Sequence, residues 1–181
     1  RKVVGAFDAG RVSSDGGALL LSEVDRLTGI CSRFASCFTD YRNADLIEHS
    51  VEDLVRQRTL GLCLGYEDLN DHDTLRDDAL FATAVGCRDP TGEHRKRERD
   101  RGHALAGKST LNRLELTSAK FSHKSRYKKI VARDEDIQMF FVNEFIAAQK
   151  GETPERIVLD IDPTDIELHG GQEKRFFHGY Y

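Results

Sequence analysis

The stretch IVLDIDPTD, residues 157 to 165, ends an apolar run on two acids, Asp160 and Asp162, spaced two apart. In extended backbone alternate side chains share a face, so both carboxylates point one way and Ile161 the other. Carboxylates held that close repel unless a cation or a proton lies between them, and burial at a strand end worsens the repulsion. The pair could therefore meet one hard divalent cation through its oxygens. Pro163 offers no ladder N–H, which sets the acids at a strand end, a bulge or an edge. The plainer alternative is that Asp160 and Asp162 cap the strand and its turn, with Asp165 opening the next element.

A second chemistry lies in the distribution of charge. The chain is formally -4. From Asp40 to Asp78 there are eleven Asp/Glu against four Lys/Arg, a local net of -7. From Arg88 to Arg133 the sign reverses, with fourteen Lys/Arg against five Asp/Glu, a net of +9. Such asymmetry lets a nearly neutral chain present one face to nucleic-acid phosphates. Two runs dominate it, RKRERDR at 95–101 and AKFSHKSRYKKIVAR at 119–133. The second holds six basic residues, no acid, and the aromatics Phe121 and Tyr127, so Lys124, Arg126, Lys128 and Lys129 are candidate phosphate contacts with rings beside them. Equally, both runs could be solvated loops or helix faces.

The elements that must carry these groups read as helices first and strands last. Leu20, Val24 and Leu27 recur at helical spacing in ALLLSEVDRLTGI, predicting an amphipathic helix that ends at Gly29. Ser50 to Asp53 has the form of a capping box, and Ile47, Val51, Leu54 and Val55 mark a stripe running on through Leu62. Thr74 to Asp77 repeats that form before a helix stopping at Gly86. A short helix starts near Ser109 with Leu111 and Leu114 inward and Asn112, Arg113 and Glu115 outward. Asp134 caps a fifth, with Ile137, Phe140, Phe141 and Phe145 inward, ended by Gly151 and Pro154. Residues 156–159 suit a strand buried on both faces, and GQEKRFFHGYY suits a second, joined through Gly170 and Gly171. A boundary is expected between 150 and 155, separating a helical unit, 1–150, from the opening of an α/β unit, 151–181. The fold class is thus mixed, α+β.

Composition agrees with a globular chain: 39% hydrophobic and 32% charged residues, with 15 Gly and 3 Pro. Cys31, Cys37, Cys63 and Cys87 lack Cys-x-x-Cys spacing, so reduced thiols and a cytoplasmic location are expected rather than zinc or disulfides. No apolar stretch is long enough to span a bilayer. Asp68, Asn70, Asp71, His72 and Asp73 suggest a calcium loop, but the Gly at its sixth position is missing and Ala79 stands where its last Glu belongs. A polar connection between helices fits them better. His169 and His178 flank the expected hairpin and read as structural.

Two families share features with these residues. IVLDIDPT resembles the hhhhDxDxT form of haloacid-dehalogenase-like phosphatases, which implies Asp160 as nucleophile and Asp162 as general acid, with Mg2+ alongside. That fold needs further strands with a Lys and more acids after the motif, and nineteen residues follow Asp162. VSSDGG at 12–17, QRTLGLCLGYEDLNDH at 57–72, KSTLNRLE at 108–115 and above all LDIDPTDIELHGGQEKRFFHGYY resemble bacterial insertion-sequence transposases with a DDE, ribonuclease H-like core, and in particular the thirteen-eighty insertion-sequence family. Ordered agreement along the chain outweighs a six-residue match.

The transposase resemblance implies that Asp162, with Thr164 two residues on, is the first catalytic and metal-binding acid, and that Asp160 supports it. It implies Mg2+ or Mn2+, two ions for in-line attack on a phosphodiester. It implies double-stranded DNA as partner, at the terminal inverted repeats and the target, and a homodimer in the DNA complex of a bacterial, nucleoid-associated protein. KSTLNR resembles the start of a recognition helix: Lys108, Ser109 and Thr110 would meet phosphate while Asn112 and Arg113 read base edges. Residues 91–107 look like an insertion relative to that pattern. The chain begins with Arg and ends on HGYY, so a fragment without the later catalytic acids is expected, inactive in strand transfer, or alternatively a non-catalytic DNA-binding remnant.

Overall fold

The computed structural model describes residue 13 and residues 15–117 and 119–160. Within them are seven helices and two short strands: α1 Ala18–Thr28, α2 Ile30–Ala35, β1 Phe38–Asp40, α3 Val51–Cys63, α4 His72–Leu75, α5 Ala79–Val85, α6 Lys108–Glu115, β2 Ile130–Ala132 and α7 Asp134–Ala148. This mixed, helix-rich arrangement agrees with the α+β reading. It places strands earlier than expected, however. β1 and β2 pair antiparallel with Thr39 opposite Val131, across more than ninety residues of chain. Three-residue strands give almost no alternation to read, so their pairing is set by packing rather than by local pattern.

α3 is the axis of the molecule. The capping box forms as expected: Ser50 Oγ accepts from Asp53 N at 3.0 Å, and Asp53 Oδ2 accepts from Ser50 N at 2.9 Å. One side of α3 gives Leu60 to a cluster with Ala18, Leu75, Phe81, Ala82, Val85 and Leu105. Leu54 and Val55 enter a second cluster with Cys31, Ala106, Leu111, Leu114 and Ile130. Leu62, expected in the stripe, is exposed.

α1 turns the opposite way from its sequence pattern. Leu20, Val24 and Leu27 are 75, 55 and 69% exposed, whereas Ala18 and Asp25 are buried. Ala18, Leu21 and Asp25 recur at i, i+3 and i+7, and this face meets the core. A buried aspartate is tolerated there because Arg56 Nε donates to Asp25 Oδ2 at 2.7 Å and Cys31 N to Oδ1 at 2.9 Å. Gly29 makes the corner into α2 at φ +65, where a Cβ is disfavoured.

Three further expectations are corrected. Thr74 does not cap: it lies inside α4, and Asp78 opens α5 by accepting from Leu80 N and Phe81 N. Arg133 occupies the cap position of α7, so Asp134 is its first helical residue and acts with Glu135 and Asp136 on the helix dipole. Of the apolar residues expected inward on α7, Phe140 is buried and Ile137 half-buried, but Phe141 and Phe145 are exposed. Phe140 stacks on Phe34 of α2 at 5.1 Å, and Arg33 pairs with Glu144 at 2.7 Å.

Residues 156–160 are not a buried strand. Ile157, Val158 and Leu159 are exposed and in no regular element, because no described strand lies beside them to take their backbone hydrogen bonds. The expected hairpin at 171–181 lies outside the described residues.

Residues 91–107 are integral to the core rather than appended to it. Ala104, Leu105 and Ala106 are buried between the two clusters, and the N–H groups of Ala104 and Leu105 donate to Arg76 O at 2.9 and 3.2 Å.

Candidate nucleic-acid interface

The two basic runs have different fates. In the first, Arg95 pairs with Glu48 at 2.9 Å and donates to His49 Nε2 at 2.9 Å, Lys96 donates to Asp45 O, and Arg99 pairs with Asp100. Burial and the Arg95 charge hold His49 neutral, its pKa lowered to about 4. Arg95 and Lys96 are thus tied to the acidic stretch before α3, while Arg97 and Arg101 are exposed and make no ion pair among the described residues.

In the second run Lys124, Arg126, Lys128 and Lys129 stay open. Among the described residues, Arg113, Lys124, Arg126, Lys128 and Lys129 make no ion pair with a carboxylate. Three of them, Arg113, Arg126 and Lys128, meet aromatic rings. The Arg126 guanidinium lies 4.9 Å from the Tyr127 ring centroid, Arg113 of α6 lies 5.9 Å from the same ring, and Lys128 Nζ lies 5.3 Å from Phe121. Lys128 Nζ also donates to Leu116 O at 3.2 Å, fastening the loop to the end of α6.

α6 itself folds as read. Leu111 and Leu114 are buried, and Asn112, Arg113 and Glu115 face out. Arg58 of α3 anchors it by pairing with Glu115 while donating to Tyr66 O at 2.8 Å. The N-terminus is less open than the recognition-helix likeness implies. Asp73 Oδ1 accepts from Lys108 N at 3.0 Å, and Lys108 Nζ is shared between Asn70 Oδ1 at 2.9 Å and Asp73 Oδ2 at 3.3 Å. The polar turn at 68–73 is the helix connection expected, its Asp73 in addition accepts from the first N–H of α6, and Lys108 carries little unspent charge. Ser109 is exposed and Thr110 half-buried.

Sequence reasoning missed two members of this surface. Tyr41 N donates to Lys129 O at 2.8 Å, and the Tyr41 ring meets His123 edge-on at 6.4 Å. The β1–β2 pairing brings them together, and nothing local to either residue announces it. Arg133, counted in the run, is engaged by Asp136, Thr39 Oγ1 and Ser36 O.

Asp160 is exposed at the end of the described region, and Asp162 lies outside it. Among the described residues no group of three or more His, Cys, Asp and Glu side chains comes together, so these residues by themselves do not fit a divalent cation. No described helix is long and apolar enough to cross a membrane.

The described residues thus present an open cationic surface on a mixed, helix-rich scaffold. The family described as transposase DDE domain group 1 matches residues 1–181, and the chain belongs to that family. Membership implies a DNA substrate, and DDE transposases usually use divalent metal ions. No curated protein and no solved structure matches the chain.

Proposed function

We infer that this chain is the DNA-gripping part of an insertion-sequence transposase of the thirteen-eighty type, acting on duplex DNA at element ends. The observation that carries the reading is the group of Arg113, Lys124, Arg126, Lys128 and Lys129, which make no ion pair among the described residues, in a chain of net charge -4. Cations already matched to carboxylates gain little from phosphate, whereas open ones release counterions on binding. Asn112 and Arg113 on the outer face of α6 are the residues for base edges, and Ser109 and Thr110 those for phosphate. Lys108 contributes least, being held by Asp73.

In this reading Asp162 is the first metal-binding acid of the catalytic core and Asp160 its neighbour in support. A match over the whole chain favours it above the phosphatase alternative, whose likeness rests on residues 157–164. The protein works as a homodimer, with Mg2+ or Mn2+.

Anisotropy of a labelled duplex, titrated with this chain at several salt concentrations, tests the gripping role. Affinity falls steeply with salt, and Lys128→Ala with Lys129→Ala lowers the log–log slope by about 1 to 2. Binding that ignores salt rejects it. The catalytic role is tested separately in a transposition-competent protein, where Asp162→Ala abolishes strand joining and leaves end binding intact.

A further inference from the structure

Phosphate neutralisation accounts for the cations of the 119–129 loop but not for its rings. Tyr127 is 59% exposed, Phe121 and Tyr41 are also exposed, and His123 stands with them. Phe121, Tyr127 and Tyr41 belong to neither core cluster. The loop that presents them is braced by turns: Ser125 N donates to Ser122 O at 2.9 Å, Lys128 N to Ser125 Oγ at 3.1 Å, and Tyr41 N to Lys129 O at 2.8 Å. The acids at its margins are matched elsewhere, Asp40 by Arg42 at 2.7 Å and Glu115 by Arg58.

Rings set among cations on an open loop have a defined use. A base stacks on a ring while its phosphate meets the neighbouring cation, and every base offers a π-face. Paired bases inside a duplex present their edges, and prising a step apart costs a few kcal/mol, so such rings stack most readily on unpaired nucleotides. Resting on the nucleic-acid reading above, we propose that the 119–129 loop and Tyr41 form a site for single-stranded DNA, with the exposed Tyr127, near Arg126 and Arg113, as the principal stacking ring.

The test compares labelled oligothymidylate of about twelve nucleotides, a length within the site size of such surfaces, with a duplex of equal length at one salt concentration. The whole chain contains no tryptophan, so quenching of its tyrosine emission on binding also reports contact with a ring. Tyr127→Leu weakens oligothymidylate binding about tenfold, the loss of one base stack, and Tyr127→Phe restores it. Duplex binding changes less than about twofold in both variants, since the phosphate contacts remain. Equal effects on the two ligands, or none on either, overturn the single-strand site. A chain that binds duplex with steep salt dependence yet ignores Tyr127→Leu overturns only this proposal, whereas a chain that binds neither ligand overturns the gripping role as well. Circular dichroism of each variant separates a lost ring from a lost fold.

Discussion

Gln57 holds Ala106 at two points: its Nε2 donates to Ala106 O at 2.7 Å, and Ala106 N donates to its Oε1 at 3.1 Å. The amide mimics a strand partner for a loop that has none, and it fastens residues 91–107 to the centre of α3. The same Nε2 lies 3.1 Å from His72 Nδ1, so one side chain ties α3, α4 and the approach to α6 together.

Gln57→Leu keeps the volume and removes both bonds. It leaves the Ala106 N–H and C=O buried without partners, at a cost of about 2–4 kcal/mol. Urea unfolding should show that loss in the midpoint with little change in slope. Gln57→Glu recovers only one of the two contacts and is expected to fall between.

His72 sets a pH dependence. Gln57 Nε2 can only donate to its Nδ1, which therefore accepts, and the ring is neutral. Burial, followed by the Arg58 charge, lowers its pKa to about 4 from 6.5. Between those values the unfolded chain binds a proton that the folded chain refuses, so stability rises with pH. The contribution is complete above 6.5 and is lost as pH falls to 4, at most about 3 kcal/mol. His49 titrates in the same sense. Thermal melts from pH 7 to pH 4.5 should show a falling midpoint, flatter in His72→Phe, provided that variant folds; His49→Gln, at the edge of the fold, supplies the second check.

Asp25 anchors α1. Burial raises its pKa, but the hydrogen bonds from Arg56 and Cys31 outweigh that and leave it below the ordinary carboxylate value. Asp25→Ala removes the acceptor of Arg56 Nε and of the Cys31 N–H, while Arg56 keeps Glu52, and costs about 1–3 kcal/mol. Asp25→Asn, which keeps the acceptor for Cys31 N, should cost less in the same unfolding experiment.

The thiols differ in reach. Cys31 is buried, and burial with the Asp25 charge pushes its pKa up to about 12, whereas Cys63 is exposed. A thiol reagent at pH 8 should label Cys63 first and leave Cys31 unmodified until denaturant is added. Early labelling of Cys31 would show that the second core cluster opens readily.

Much of the helical scaffold is legible in residue types because its signals are local. Ser50 and Asp53 form the expected capping box, Gly29 and Gly86 end their helices with positive φ, and Leu111 and Leu114 bury one side of α6. The acid-free stretch at 119–133 is likewise legible, since charge requires no partner to be counted. Other features depend on what lies opposite. Leu20, Val24 and Leu27 form a sound helical stripe, yet tertiary packing chose the face with Ala18 and Asp25, because an ion pair with Arg56 makes that face buriable. Which of two basic runs stays open was decided the same way, by Glu48 reaching Arg95 while no described acid reaches Lys128. Sequence by itself determined the helix ends with local caps, at Gly29, Ser50 and Gly86, and how charge is strung along the chain, since those caps and net charge are properties of near neighbours. Tertiary structure alone decided which faces are buried, which cations are spent and that Tyr41 joins His123, since each depends on groups brought together from far apart in the chain.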